Sequence, residues 1–254
     1  MHIGKVEALI RETAERDGVV FFGLIDPKEN IESGVRFAKA FYEGGADIIL
    51  LGGSLGVGQT TLDELAVRIK EGISIPLMLF PGNINGVTRH ADALYFMSLL
   101  NSENPYWITG AQALAAPEIA RMGIEAIPTS FIIIEPGETV GFVGQARPVL
   151  RHKPEIAAAF ALAGKLMGQR VTILECGSGA PGPAPPEMFK AVKAAVGHPV
   201  ICAGSCRNMQ EMEATIKAGA DGIHIASLIE NAADPRKEAK RIIDFCKRAG
   251  KAKK

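Results

Sequence analysis

The chain has 254 residues, of which 47% are hydrophobic and 22% charged, and its 28 basic and 28 acidic side chains cancel. This balance excludes a general attraction to nucleic acid or to an anionic membrane, so an anion site must be local. The four cysteines lack paired Cys-x-x-Cys spacing, which argues against a disulfide framework or a zinc site. No run reaches the roughly 18 apolar residues of a membrane span, and the N-terminus lacks an apolar signal core. We therefore expect a cytoplasmic location.

Predicted strands and helices alternate along most of the chain. A helix over 5–16 precedes an apolar strand over 19–25, and continuous apolar runs are typical of buried parallel strands. Further strands are predicted over 46–51, 75–80, 94–100, 127–135, 171–174, 200–203 and 223–226, and helices over 31–43, 61–71, 109–122, 154–167, 187–196, 208–218 and 235–249. Eight β/α units in about 250 residues favour one α/β domain over 1–254, a (β/α)8 TIM barrel, over a doubly wound sheet.

One helix is missing from this alternation. Only about eight residues, 84–91, separate the third and fourth predicted strands, whereas a helical crossover needs roughly ten to twelve. We therefore predict that the helix between strands 3 and 4 is absent and that the outer wall of the barrel has a gap there.

Small and polar residues follow the last three predicted strands. Strand six runs into Glu175 and Gly177-Ser178-Gly179, strand seven into Gly204-Ser205 and strand eight into Ala226-Ser227. In a barrel the carboxyl ends of the strands meet at the catalytic face, and the loops after strands seven and eight usually grip phosphate. Small residues let backbone N–H groups approach an anion. Together the three loops predict a phosphate site, although each alone is also compatible with an ordinary tight turn.

Three side chains at strand ends carry candidate chemistry. Asp26 is a candidate magnesium ligand, because Mg²⁺ binds carboxylate oxygen together with water and substrate phosphates; an Asp-Pro turn or a helix cap is the alternative. Ser54 is a weaker ligand candidate, since Gly-Gly-Ser also makes a good cap. Glu175 is a candidate for orienting or deprotonating a substrate hydroxyl. The alternative is that it forms a structural salt bridge. We interpret His224, inside a strand, as structural.

Several segments resemble the geranylgeranylglyceryl phosphate synthase family, which includes the bacterial heptaprenylglyceryl phosphate synthases. The matching segments are LIDPK at 24–28, LGGS at 51–54, LFPGN at 79–83, SLLNS at 98–102, NPYW at 104–107, IIIEPG at 132–137, TVG at 139–141, KPEIA at 153–157 and TILECGSGAP at 172–181. The resemblance runs from about residue 21 to the C-terminus, and it is specific to this family among phosphate-binding barrels.

The resemblance implies a Mg²⁺-dependent prenyltransferase that joins sn-glycerol 1-phosphate to geranylgeranyl diphosphate or another polyprenyl diphosphate. The product is an ether, pyrophosphate is released, and the step serves archaeal membrane lipid biosynthesis. The resemblance also implies a barrel without its third helix, a homo-oligomer (dimer or hexamer) and transient contact with a membrane surface.

By position, the family's site residues fall on two groups of this chain. Asp26 and Ser54 would bind Mg²⁺ and the diphosphate, and Glu175 would hold the glycerol hydroxyl. The acceptor site would comprise Ile173, Leu174, Glu175, Cys176, Gly177, Ser178, Gly179, Gly204, Ser205, Ala226 and Ser227.

The chain departs from the family pattern at three places. Ile173 replaces the usual tyrosine, Ala203-Gly204-Ser205 replaces a glycine triplet, and Ala226-Ser227 replaces Gly-Asn. These changes leave the acceptor open, and the prenyl length is open because it depends on the depth of the groove. Two other classes also stay open: an isomerase or aldolase acting on a phosphorylated metabolite, and a non-catalytic barrel that binds phosphorylated ligands or lipid. A Schiff-base aldolase needs a lysine within a strand, and no predicted strand contains one.

Overall fold

A computed structural model describes residues 3–26, 30–52 and 58–254. Its eight parallel strands close into a barrel in chain order, because β1 pairs with both β2 and β8. The strands are β1 (Val20–Ile25), β2 (Ile48–Gly52), β3 (Leu77–Phe80), β4 (Ala93–Leu99), β5 (Glu125–Ile133), β6 (Val171–Glu175), β7 (Val200–Ala203) and β8 (Gly222–Ile225). The predicted TIM barrel is confirmed.

Helices surround the barrel on all but one side. They are α1 (Lys5–Asp17), α2 (Ile31–Gly44), α3 (Gln59–Gly72), α4 (Ala111–Met122), α5 (Glu138–Val143), α6 (Pro154–Leu166), α7 (Pro186–Val196), α8 (Met209–Lys217), α9 (Ser227–Glu230) and α10 (Pro235–Lys253). Residues 81–92, between β3 and β4, contain turns and no helix, so the predicted gap is confirmed. In the described part of the chain, no helix is long and apolar enough to cross a bilayer.

Three short elements were absent from the sequence-based assignment. These are α5, α9 and a π-helical turn over Tyr106–Gly110 that leads into α4. Helices of four to six residues are too short to show a hydrophobic period, which is the signal that sequence reasoning depends on.

The strands are buried on both faces, which explains their continuous apolar runs. One cluster fills the barrel interior and includes Ile173 and Ala203, whereas residues of opposite parity, such as Leu174, pack against the outer helices. Val6 and Ile10 of α1 belong to the interior cluster. Helix α1 therefore closes the amino-terminal end of the barrel and leaves the carboxyl end of the strands as the way in.

Three aspartates tie strands together at the amino-terminal end. Asp47, Asp92 and Asp221 each directly precede an even-numbered strand. Each carboxylate accepts one backbone N–H from the preceding odd-numbered strand, those of Phe21 (2.7 Å), Leu77 (2.8 Å) and Val200 (2.9 Å), and pairs with a lysine, Lys247, Lys70 and Lys193 respectively. These buried or half-buried charges stabilise the fold at the end away from Glu175.

Candidate active site

Glu175 is the last residue of β6 and points into the barrel, since it has the same parity as Ile173. Its side chain is 6% exposed, and its Oε1 accepts the N–H of Gly177 at 2.6 Å. Burial raises the pKa of this carboxyl to about 7, against the opposing effect of the Gly177 hydrogen bond. A carboxyl that titrates near neutral pH can both accept and return a proton. The salt-bridge alternative has no support, because no ion pair of Glu175 occurs among the described residues.

The loop after β6 needs glycine at two positions. Gly177 and Gly179 have φ values of 91° and 93°, in the left-handed region that favours glycine. A Cβ atom on Gly177 would lie 2.5 Å from the Cβ of Glu138 and 2.7 Å from the oxygen of Gly137. The start of α5 therefore packs closely against this loop, while Ser178 and Gly179 are exposed to solvent.

The loop after β7 packs directly on the loop after β6. Ser205 donates from Oγ to the oxygen of Gly177 at 3.0 Å, and both Gly204 and Ser205 have positive φ, at 75° and 58°. A Cβ atom on Gly204 would lie 2.2 Å from Oε1 of Glu175. The structure thus brings together Glu175, the 177–179 loop and the 204–205 loop, as the sequence predicted.

Two further segments border this cluster. Ala226 and Ser227 follow β8, which pairs with β7, so they lie at the same end of the barrel, and Ser227 begins α9. The exposed Arg207 donates from its guanidinium to the oxygen of Gly179 at 3.2 Å and to that of Ala180. Arg207 therefore braces the 177–179 loop from outside.

Three predicted acceptor residues do not offer side chains to this cluster. Ile173 is fully buried in the barrel interior and is apolar, so it supplies no hydroxyl. Leu174 and Cys176 point into the outer core, and the Cys176 thiol lies 3.7 Å from the guanidinium of Arg151. Burial raises the pKa of that thiol to about 12. Any contact of Leu174 or Cys176 with an acceptor must therefore use main-chain atoms.

The predicted metal ligands are only partly described. Asp26 directly follows β1 and is half-buried, with its Oδ1 shielded from solvent, whereas Ser54 lies outside the described residues. Over the described ranges, no group of three or more His, Cys, Asp or Glu residues could hold a metal. A single carboxylate is still compatible with Mg²⁺, which takes its other ligands from water and from substrate phosphates.

Sequence reasoning missed an aromatic cluster inside the barrel. Tyr95, from β4, lies 3.2 Å from Nε2 of His224, from β8, and the His224 ring packs edge-on against Phe22 and Phe80. Phe131 packs on Phe80 in turn. The alternation of β4 could have indicated that Tyr95 faces inward, but its partner lies 129 residues away and is brought close only by closure of the barrel.

Two of the family-like segments contact each other beside the gap. The Tyr106 hydroxyl donates to Oδ1 of Asn83 at 2.6 Å, which joins the π-helical turn to the segment after β3. Trp107 packs against the interior cluster. Asn101 has a structural role, since its amide binds the backbone of Ile133 and Arg147.

Comparison with known proteins agrees with this geometry. The model of the PcrB family matches residues 11–245. The chain is 47% identical to geranylgeranylglyceryl phosphate synthase of Thermococcus kodakarensis over 243 residues, 95% of this chain and 96% of that protein. It is 47% identical to the synthase of Pyrococcus abyssi over 247 residues, 97% of this chain and 98% of that protein.

A solved structure of the same kind superposes closely. The crystal structure of (S)-3-O-geranylgeranylglyceryl phosphate synthase from Thermoplasma acidophilum, in complex with its substrate sn-glycerol-1-phosphate, gives a TM-score of 0.91 at 32% identity. The match covers 97% of this chain and 100% of that one. The resemblance seen in the motifs is confirmed, and the chain belongs to the PcrB family.

Proposed function

We propose that the protein is a prenyltransferase that joins sn-glycerol 1-phosphate to geranylgeranyl diphosphate through an ether bond, in archaeal membrane lipid biosynthesis. Relatives that share nearly half of its residues are geranylgeranylglyceryl phosphate synthases. The observation that carries the proposal is the buried Glu175, with its pKa near 7, beside the glycine loops after β6 and β7. An acid-base group next to a set of close-approach backbone N–H groups suits an acceptor with both a hydroxyl and a phosphate.

Glu175 accounts for the proton of the reaction. The glycerol oxygen forms a bond to the allylic carbon of the prenyl diphosphate, the carbon–oxygen bond to diphosphate breaks, and pyrophosphate leaves with the electron pair. The hydroxyl proton passes to the Glu175 carboxylate. Oε1 accepts the N–H of Gly177, which leaves Oε2 for the hydroxyl. Burial keeps this carboxylate basic enough to accept the proton near neutral pH.

The diphosphate end of the site is assigned to Asp26. Its carboxylate lies at the carboxyl end of β1, and β1 is next to β8 in the barrel. Asp26 would hold Mg²⁺ together with the substrate diphosphate, and the ion when bound would neutralise charge on the departing pyrophosphate. Ser54 remains the second predicted ligand.

The prenyl tail is assigned to the gap between β3 and β4. Phe80 and Trp107 are partly buried there, and Ile84 is 44% exposed. With no helix over 81–92, these apolar side chains offer a route from the barrel mouth to the surface. An extended apolar tail gains free energy by leaving water for such a groove.

An assay with both substrates tests the function. Purified protein is incubated with radiolabelled geranylgeranyl diphosphate, Mg²⁺ and either enantiomer of glycerol phosphate, and the ether product is counted. We expect product with sn-glycerol 1-phosphate. Absence of ether with either enantiomer, despite ligand binding, would indicate a non-catalytic barrel; turnover of a phosphorylated metabolite alone would indicate an isomerase or aldolase.

Replacing Asp26 with asparagine tests its role in the same assay. Asparagine keeps the size of the side chain but loses the charge that attracts a hard cation. We expect kcat/KM for the prenyl diphosphate to fall about 100-fold, with little change in the binding of glycerol phosphate measured by calorimetry. Asp244 of α10, whose side chain is 48% exposed, is a matched control, and Asp244→Asn should retain full activity. A near-normal rate for Asp26→Asn would refute the metal role.

We also propose that the chain forms homo-oligomers through α6. One face of α6 packs on α7 and β5, yet the opposite face exposes Ile156 (41%), Leu162 (40%) and Leu166 (80%), and the C-cap residue Met167 is 66% exposed. Neighbouring exposed apolar side chains on one helix face mark an interaction surface, so this face is suited to contact with a partner. A second copy of the same helix fits, because two-fold symmetry pairs a surface with itself.

A charge on this face should break the oligomer. We expect Leu166→Glu to shift the molar mass measured by light scattering after size exclusion to that of a monomer, because two carboxylates would be buried without partners. Val67→Glu on α3 introduces the same charge on another helix and should leave the mass unchanged. An unchanged oligomer in Leu166→Glu would place the interface elsewhere.

A further inference from the structure

His224 faces the catalytic mouth rather than the closed end of the barrel. Its neighbour in register on β1, Phe22, is fully buried, whereas His224 is 6% exposed, the same fraction as Glu175. Helix α1 closes the other end, so the interior in which the His224 ring packs beside Phe22 and Phe80 can be reached only from the carboxyl ends of the strands. His224 and Glu175 therefore both border the floor of the mouth.

The register sets how these two side chains face each other. Glu175 pairs with Ala203, and Cys202 pairs with Ile223, so Ala203 lies between Glu175 and His224 on adjacent strands. Neighbouring strands are about 4.8 Å apart, which puts the two Cα atoms about 10 Å apart. The inward-facing residue of β7 at this level is the small Ala203. This gap suits a single small polyol, with one polar group at each side.

One nitrogen of His224 has an unmet hydrogen-bonding capacity. Nε2 contacts the Tyr95 hydroxyl, while Nδ1 is buried and has no hydrogen-bond partner within the described ranges. Burial lowers the pKa of the imidazole to about 3, so the ring is uncharged near neutral pH. Leaving a buried polar atom unsatisfied destabilises the fold, which is expected where a ligand completes the site. Ile173, the nearest inward residue of β6 below Glu175, adds no polar atom to this floor.

We propose that His224 is a specificity-determining residue of the acceptor site, whose Nδ1 hydrogen-bonds a hydroxyl of the polyol phosphate while Tyr95 holds the ring. This inference rests on the proposed function and assigns a residue to its acceptor. Glu175 takes the hydroxyl that reacts, and His224 takes the other hydroxyl. The two contacts together fix which face of the polyol is presented, so His224 contributes to the choice between glycerol phosphate enantiomers.

Two substitutions test the two ring nitrogens of His224 separately. His224→Gln places its amide near Nε2 and can still reach Tyr95, but it loses Nδ1; His224→Asn places its amide near Nδ1 and loses the contact with Tyr95. We expect His224→Gln to raise KM for sn-glycerol 1-phosphate about tenfold, the size of one lost neutral hydrogen bond. His224→Asn should raise it only about threefold. KM for geranylgeranyl diphosphate should stay constant in both, and enantiomer selectivity should drop in His224→Gln.

A measurement on the wild-type protein covers the case in which a variant fails to fold. In ¹⁵N-histidine-labelled protein, the Nδ1 resonance of His224 should shift when sn-glycerol 1-phosphate is added. A resonance that does not move at saturating acceptor would overturn the proposal and indicate a bound water only. Equal KM effects for Gln and Asn would also overturn it, since they would indicate a structural role. If wild-type protein forms no ether at all, the proposed function fails instead.

Discussion

Replacing Glu175 with glutamine is expected to lower kcat about a thousandfold, the usual size of a lost general base. Glutamine has nearly the same shape, and its oxygen can still accept the N–H of Gly177, so the loop should keep its position. It cannot take a proton from the glycerol hydroxyl. In the wild-type protein, kcat/KM for the acceptor should rise with pH through about 7, following the raised pKa of Glu175. The glutamine variant should lose this rise and keep only the titration of the substrate phosphate, near pH 6.

The same substitution should stabilise the protein at alkaline pH. Because burial raises the pKa of Glu175 from 4.5 to about 7, the folded state favours the protonated form. The associated stability is fully present below pH 4.5 and is lost as the pH rises through 7, about 3 kcal/mol in all. Glutamine carries no such charge. We therefore expect urea denaturation to show Glu175→Gln gaining about 3 kcal/mol relative to wild type between pH 4.5 and pH 8.

Two results would contradict this account of Glu175. If the stability difference between variant and wild type does not change with pH, the carboxyl ionises at its ordinary pKa. If the variant keeps more than about a tenth of the wild-type kcat, another group accepts the proton. Glu187→Gln, at an exposed position in the first turn of α7, controls for the removal of one carboxylate and should change neither property.

Local sequence patterns were sufficient to predict the barrel. Strands such as β2 and β3 are continuous apolar runs because both of their faces are buried, and the missing helix follows from the shortness of the segment between β3 and β4. The position of Glu175 and its glycines at a strand end was enough to place them in the mouth. The alternation of side chains along β6 also indicates that Leu174 and Cys176 face away from the mouth of the barrel.

Contacts between distant segments could not be predicted from the sequence. The Tyr95–His224 pair and the packing of Ser205 on Gly177 depend on barrel closure and on loop conformation. His224 was interpreted as structural because a lone histidine in an apolar strand has no local signal that points to a ligand. That its Nδ1 has no hydrogen-bond partner among the described residues becomes visible only when the surrounding side chains are in place.

The packing between the β6 and β7 loops leads to the second large effect. Gly204→Ala is expected to lower kcat/KM for glycerol phosphate on the order of a thousandfold, because it displaces either the base or the loop from its position. The new methyl would lie 2.2 Å from Oε1 of Glu175 and 2.8 Å from the nitrogen of Gly177, which are the two atoms of the 2.6 Å hydrogen bond. Either the carboxylate or the loop must move.

Gly197→Ala separates this clash from backbone strain. Gly197 is the C-cap of α7 with φ of 70°, close to the 75° of Gly204, but no atom of another described segment lies within 4 Å of its added Cβ. It should therefore cost only the strain of a left-handed alanine, about 1 kcal/mol, and retain full activity. Gly204→Ala should cost more, about 2–3 kcal/mol by urea denaturation.

The pH profile of Gly204→Ala identifies which atom moved. The Gly177 N–H favours the ionised carboxyl, so breaking that bond should raise the pKa of Glu175 further and move the residual activity to higher pH. If instead the carboxyl keeps this bond and the loop shifts, the profile stays near 7 while KM for glycerol phosphate rises. If Gly204→Ala has the same activity and stability as Gly197→Ala, the loops after β6 and β7 do not pack tightly against each other. That result would remove the basis for a shared acceptor site.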